Sequence, residues 1–402
     1  MRVVAIRAAR LFDGVTARVV ERPTVLVKAG QIVAVEQSGV EPPADAEIVD
    51  LGDVTLLPGL IDTHVHLGFD ASHDPVARMR ADDDATLARQ MRQAARQSLA
   101  AGITTVRDLG DRGYLAVALR ETSWASDELG PEILASGPPL TVTGGHCHFM
   151  GGEADGEAQI REGVRERARR GVDVIKIMAS GGVLTPGVGP LRSQYSPREL
   201  SAAVEEAHEC GLRVLAHAHA ADVVARAVEA GVDGIEHGGF WVDGGIRADQ
   251  AVIDRIAEQG IVVCPTLGIM PAPDLPPPPP EVAAWLEAIG EVVARMHEAG
   301  VRVVAGTDAG IAPRKPHGVL PYAVREFATL GMSNADALAS ATSVAADACG
   351  VAGRKGRLSP GKDADMLAVG GNPLTDLRAL HDVRAVFRAG VLVGAPGSPS
   401  TL

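Results

Sequence analysis

Between residues 58 and 354 the chain repeatedly alternates short apolar runs of strand length with longer amphipathic stretches of helical period. The strand-like runs are Leu60–His66, Thr104–Asp108, Ile133–Ser136, Val172–Met178, Arg213–His217, Gly234–His237, Ile261–Cys264 and Val301–Asp308. Helical patterns fall between them, among them Ala85–Ala100, Pro197–Cys210, Ala220–Ala230 and Ala248–Gln259. Repeated βα units in this number predict a (β/α)8 TIM barrel, whose chemistry sits at the C-terminal ends of its strands. A doubly wound open sheet is the alternative. No GxGxxG fingerprint follows a first strand, so the barrel is expected.

The two ends of the chain read differently. VVAIRA, TVLVKAG, QIVAVE and DVTLLP in the first 57 residues are strand-like and separated by Gly, Pro and Asp turn signals. ADMLAVG, VRAVFRAG and VLVG behave alike near the C-terminus. The predicted fold class is therefore α/β, a barrel over 58–354 with a small composite β-sandwich from residues 1–57 and 355–402. The tract PAPDLPPPPP, from Pro271 to Pro280, follows the seventh strand as a stiff loop, either a surface spacer or a wall over the barrel mouth.

A net charge of −13 argues against nucleic acid or an anionic membrane as partner and leaves a small-molecule substrate. Arginines 2, 7 and 10 interrupt what would have to be an apolar signal core, and no uncharged apolar run of about 18 residues occurs. Four scattered cysteines without a CxxC pair indicate a reducing compartment. A cytoplasmic protein is expected.

Polar residues interrupt the strand runs where a barrel normally holds branched aliphatics. In Gly59-Leu60-Ile61-Asp62-Thr63-His64-Val65-His66 the two histidines project to one side of a strand, as a metal-chelating pair would. Lys176 lies inside the apolar DVIKIMASGG, where a free ammonium is costly. His217 ends RVLAH, His237 ends GIEH and Asp308 ends VVAGTD. Imidazoles and a carboxylate gathered at a barrel mouth suit zinc or a similar divalent metal.

With LPGLIDTHVHL, IKIMASGG, AHAHA, GIEHG, GTDAG and the closing GRLSPGKDADMLAV, the chain resembles the amidohydrolase superfamily over nearly its whole length. Within it, the branch near imidazolonepropionase and the Xaa-Pro dipeptidases is the nearest match. The resemblance implies two divalent ions, zinc the first expectation. His64 and His66 would hold the buried ion, and Lys176, carbamylated by CO2 to N6-carboxylysine, would bridge both. His217 and His237 would hold the second ion, while Asp308 would touch the buried ion and shuttle protons. A hydroxide bridging two cations is nucleophilic at neutral pH, which points to hydrolysis of amide or peptide-like bonds. Dipeptides and N-acyl amino acids are the expected substrates. Related proteins cleave lactones, carbamates and phosphotriesters, and a mononuclear deaminase of a cyclic amidine is a further alternative, although deaminases of this kind typically lack the bridging lysine. A non-catalytic scaffold is disfavoured because all six ligand positions are filled.

The remaining assignments concern substrate contact. By resemblance, His146 in Thr143-Gly144-Gly145-His146-Cys147-His148 polarises the scissile carbonyl, and His219 contacts the substrate carboxylate one pleat beyond His217. The loop after Lys176 is long for a βα connection, so Arg192 and Tyr195 are carboxylate-binding candidates, against a solvent-facing Arg and a packing Tyr. His317 after the last strand is a mouth residue for substrate contact. Relatives often form homo-oligomers, but no interface is legible in the sequence.

Overall fold

The structure, a computed structural model, describes residues 2–37, 41–122, 129–271 and 280–393. The barrel strands are β1 (Leu60–Val65), β2 (Ile103–Asp108), β3 (Glu132–Ala135), β4 (Val174–Met178), β5 (Arg213–Ala220), β6 (Gly234–Val242), β7 (Val262–Cys264) and β8 (Arg302–Val303). β1, β2 and β3 pair in parallel, and β4 to β8 do the same. Two seams close the cylinder. Leu140, just past β3, pairs with Ile177, and Val65 pairs with Ala309. β8 is shorter than its apolar run, yet the chain beyond it stays bonded to β1 through Thr63 N–H to Ala305 O and Asp308 N–H to His64 O. The closed parallel sheet is the barrel expected, with no open edge.

Strands of this kind are buried on both faces, which is why they read as continuous apolar runs. Helices cover the outside with one apolar stripe each. The helix Pro197–Glu209 is typical: Ser196 caps it, Glu199 completes a capping box, and Leu200, Ala203, Val204 and Ala207 turn inward.

Val54–Pro58 pairs antiparallel with Met366–Gly370, which joins the two ends of the chain in one sheet. A second sheet, ordered Gln31–Glu36, Thr24–Lys28, Val4–Arg7 and Glu47–Asp50, packs with the first around Ile6, Leu11, Val27, Leu56, Met366 and Phe387. Residues 272–279 of the proline tract lie outside the described residues, so its role at the mouth is not assigned. Among the described residues, no helix is long and apolar enough to cross a membrane.

Candidate active site

Parallel register sets the heights of the polar side chains. Met178 lies opposite His217, and Ala218 opposite His237, so neighbouring strands deliver their polar residues to one level near the mouth. His64, His66, His146, Lys176, His217 and Asp308 line one cavity of about 250 Å³ there, joined by His219 and His237. His237 and Asp308 have φ of 69° and 58°. Non-glycine residues held in this region cost roughly 1–3 kcal/mol and cluster at functional sites.

Proton positions follow from the partners. The buried carboxylate of Glu236 accepts from His64 Nδ1 at 2.6 Å, and the carbonyl of Gly110 accepts from His66 Nδ1 at 3.1 Å. Both Nε2 atoms are then left with lone pairs, 3.4 Å from each other and 3.5 and 3.3 Å from Asp308 Oδ1. Three electron-rich atoms facing one another in a buried pocket are stable only around something positive. In the second group one imidazole is fixed in the same way. Gly181 O accepts from His217 Nε2 at 3.0 Å, which leaves His217 Nδ1 as the acceptor, 3.0 Å from His237 Nε2. His237 is braced on its other nitrogen by Thr266 Oγ1 at 2.9 Å. His64, His66 and Asp308 thus form one candidate metal-binding group, and His217, His219 and His237 a second.

Lys176 is 1% exposed, and among the described residues its Nζ has no hydrogen-bond partner. Burial pulls its pKa down, with Glu236 and Asp308 opposing. A buried amine driven toward neutrality and left unbonded is suited to capture CO2 as a carbamate. The donor set and the orphaned Nζ fit a pair of divalent ions bridged by that group. Glu236 is brought down to about 2, against burial, by His64, Lys176 and Arg107.

His146 stands beside His217, ring centroids 4.7 Å apart. Thr185 Oγ1 accepts from Cys147 N–H at 3.0 Å and lies 3.1 Å from His146 Nδ1. Among the described residues the hydroxyl has no other acceptor, so its proton goes to Nδ1 and the imidazole proton sits on Nε2. Burial, with Lys176 and His66 against Asp308, lowers the His146 pKa to about 4, so the ring is a neutral donor near pH 7. Cys147 is a buried thiol with its pKa pushed up to about 12 by burial and Asp308, which leaves it no part as a nucleophile.

The choice between His217 and His219 is narrower in space than in sequence, since both lie within reach of His237. His217 has the oriented nitrogen. His219 stacks between His237 and Trp241, centroids 4.4 and 4.2 Å away.

Three expected substrate contacts are not in the cavity wall. Arg192 is exposed and does not line the cavity. Tyr195 is buried in packing and donates its hydroxyl proton to Ala154 O at 3.1 Å. His317 bonds through Nε2 to Phe69 O at 2.9 Å and faces a different depression, beside His381. The loop after β4 instead reaches the cavity through Val183 and Leu184.

Sequence reasoning missed Glu236 and Asp108, whose oxygens accept from Leu67 N–H and Gly110 N–H and so hold the carbonyl that orients His66. An acid inside an otherwise apolar strand run was the available signal. It also missed Lys315 and an apolar wall that includes Leu267, Trp285, Ile289 and Ile311.

The fold and the site define a barrel protein with candidate metal-binding groups at its mouth. The amidohydrolase family model matches residues 55–393, and the chain belongs to that family. It is a hydrolase acting on C–N bonds. The ochratoxinase of Aspergillus niger is 31% identical over 385 residues, covering 85% of this chain and 76% of that protein. A Xaa-Pro dipeptidase with bound methionine superposes with a TM-score of 0.85 at 30% identity, covering 97% of this chain and 99% of that one. A prolidase complexed with n-methylphosphonate-l-proline superposes at 0.84 and 29% identity, covering 98% and 100%.

Proposed function

We propose that the protein is a binuclear metal-dependent hydrolase of amide bonds in dipeptides or N-acyl amino acids. The observation that carries this is one cavity lined by two candidate metal-binding groups, one on β1 and beyond β8, the other on β5 and β6, and by Lys176, whose buried Nζ has no hydrogen-bond partner among the described residues. His64, His66 and Asp308 would hold one ion, His217 and His237 the other, and carbamylated Lys176 both. When bound, the ions supply an activated water and a polarised carbonyl.

The chain's own residues do the rest. His146 donates from Nε2 to the oxygen that becomes negative as the carbonyl turns tetrahedral, a contribution of about 3 kcal/mol for one such donor. Asp308 takes the proton of the attacking water and passes it to the leaving nitrogen. His219, wedged against Trp241, contacts the substrate. The substrate class is supported by the likeness to a dipeptidase and a prolidase, whose named ligands are an amino acid and an N-substituted amino acid.

The test combines a dipeptide and N-acyl amino acid screen on zinc-loaded enzyme with metal analysis of the same sample. Two ions per chain and turnover of such acids are expected. Lys176→Ala should lose bound metal and turnover, with partial rescue by short carboxylic acids. Full activity and unchanged metal content in that variant refute the binuclear reading.

A further inference from the structure

The carboxylate of an N-acyl amino acid needs a cationic or strongly donating partner, and Arg192 is not at the cavity. Among the described residues, the lysine and arginine side chains that line the cavity are Lys176 and Lys315. Lys176 is committed to the carbamate. Lys315 follows β8, and its ammonium is fixed by two strand-end carbonyls, Thr266 O at 2.6 Å and Thr307 O at 2.7 Å. An ammonium has three donors, and these bonds use two. Among the described residues no carboxylate comes within ion-pair distance of its Nζ; Glu326, which also lines the cavity, accepts from Gly268 N–H instead.

The same side of the barrel supplies the apolar wall. Trp241 comes from β6, Leu267 from the segment after β7, and Trp285 and Ile289 from the helix Pro280–Glu298 that precedes β8. The two indoles meet edge to face at 4.6 Å. His146 enters from the segment after β3, on the far side of the eight-stranded cylinder from β7. A carboxylate and a side chain leave the same carbon of an amino acid, so one half of the substrate must present both together.

We infer that Lys315 and the Trp241–Trp285–Ile289 wall form one recognition surface for the amino-acid half of the substrate, the carboxylate on Lys315 and a large apolar side chain against the indoles. The inference rests on the amide-hydrolase reading and narrows it to N-acyl or aminoacyl derivatives of large apolar amino acids.

The test compares an N-acyl phenylalanine, its neutral carboxamide and the matching N-acyl glycine on zinc-loaded enzyme. Lys315→Gln keeps a donor for the two carbonyls and removes the charge, and metal content and melting temperature are recorded alongside. It should lower kcat/KM for the acid about 10-fold or more, mainly through KM, and leave the carboxamide within about threefold. Trp285→Ala should lower kcat/KM for the phenylalanine acid about 10-fold and spare the glycine acid. Equal losses on acid and carboxamide in Lys315→Gln make Lys315 a brace for the β7 and β8 ends and overturn the inference alone. A wild-type enzyme that prefers the glycine acid overturns it too. Should wild type cleave none of the three, the amide-hydrolase reading falls and takes this inference with it.

Discussion

A carboxylate that can only accept fixes the proton of the imidazole it holds, and Glu236 does this to His64. Glu236→Gln keeps the shape, but it removes the charge and lets the amide present either its oxygen or its NH2 to His64. Metal affinity at the His64–His66–Asp308 group should fall about 10- to 100-fold, read by competition with a chelator of known strength. Unchanged affinity would mean that His64 needs no such partner. His64, His66, Lys176, His217, His237 and Asp308 were legible as cavity residues because each stood at the end of an apolar run or within one. Glu236 was not, because strand alternation assigns it the face opposite His237. The left-handed backbone at His237 interrupts that alternation: His237 lines the cavity while Glu236 is buried against His64.

The loop between β4 and the helix Pro197–Glu209 shows where reading by residue type fails. Its length correctly marked it as part of the mouth. Which of its side chains face the cavity depends on turns that composition does not specify, and Arg192 and Tyr195 were chosen for chemistry rather than position. The element works through its backbone: Gly181 O orients His217, and Gly182 passes so close to His146 that a Cβ there would run into the ring. Gly182→Ala should therefore displace His146 while leaving both ligand groups in place. Turnover is expected to drop by about 10- to 100-fold with metal content unchanged, since misplacing one catalytic group by about 1 Å can cost that much. Wild-type turnover in this variant would remove His146 from the reaction. Element identities were readable because βα repeats carry a strong periodic signal. The short β8 was not, since its apolar run continues as irregular chain bonded to β1.

Both chain ends must come together for the sandwich to exist, and a buried ion cluster ties that sandwich to the barrel. Glu132 opens β3 at the end of the cylinder remote from the mouth, the end that serves stability rather than chemistry in a barrel of this kind. It meets Arg354 at 2.6 Å, Lys355 at 3.2 Å and Arg388 at 3.3 Å. Asp365 shares Lys355 and Arg388, the latter at 2.9 Å. Lys355 and Arg388 are 3% and 1% exposed, so solvent cannot take over if a carboxylate is lost. Breaking one partner of a buried cluster leaves uncompensated charge, and Glu132→Gln should destabilise the fold by roughly 3 kcal/mol in denaturant titration. The sign of its pH dependence follows from Glu132 itself. Burial raises its pKa, but Arg354, Lys355 and Arg388 outweigh that and hold it below the ordinary 4.5. A carboxyl with a depressed folded-state pKa stabilises fully above its unfolded value and loses that contribution as pH falls through the folded one. The gap between wild type and Glu132→Gln should accordingly be widest above about pH 4.5 and close in more acidic solution, while kcat of the folded variant at neutral pH stays at the wild-type level. A gap that is constant with pH, or a loss of kcat without loss of stability, would show that Glu132 is not the tie between the two layers.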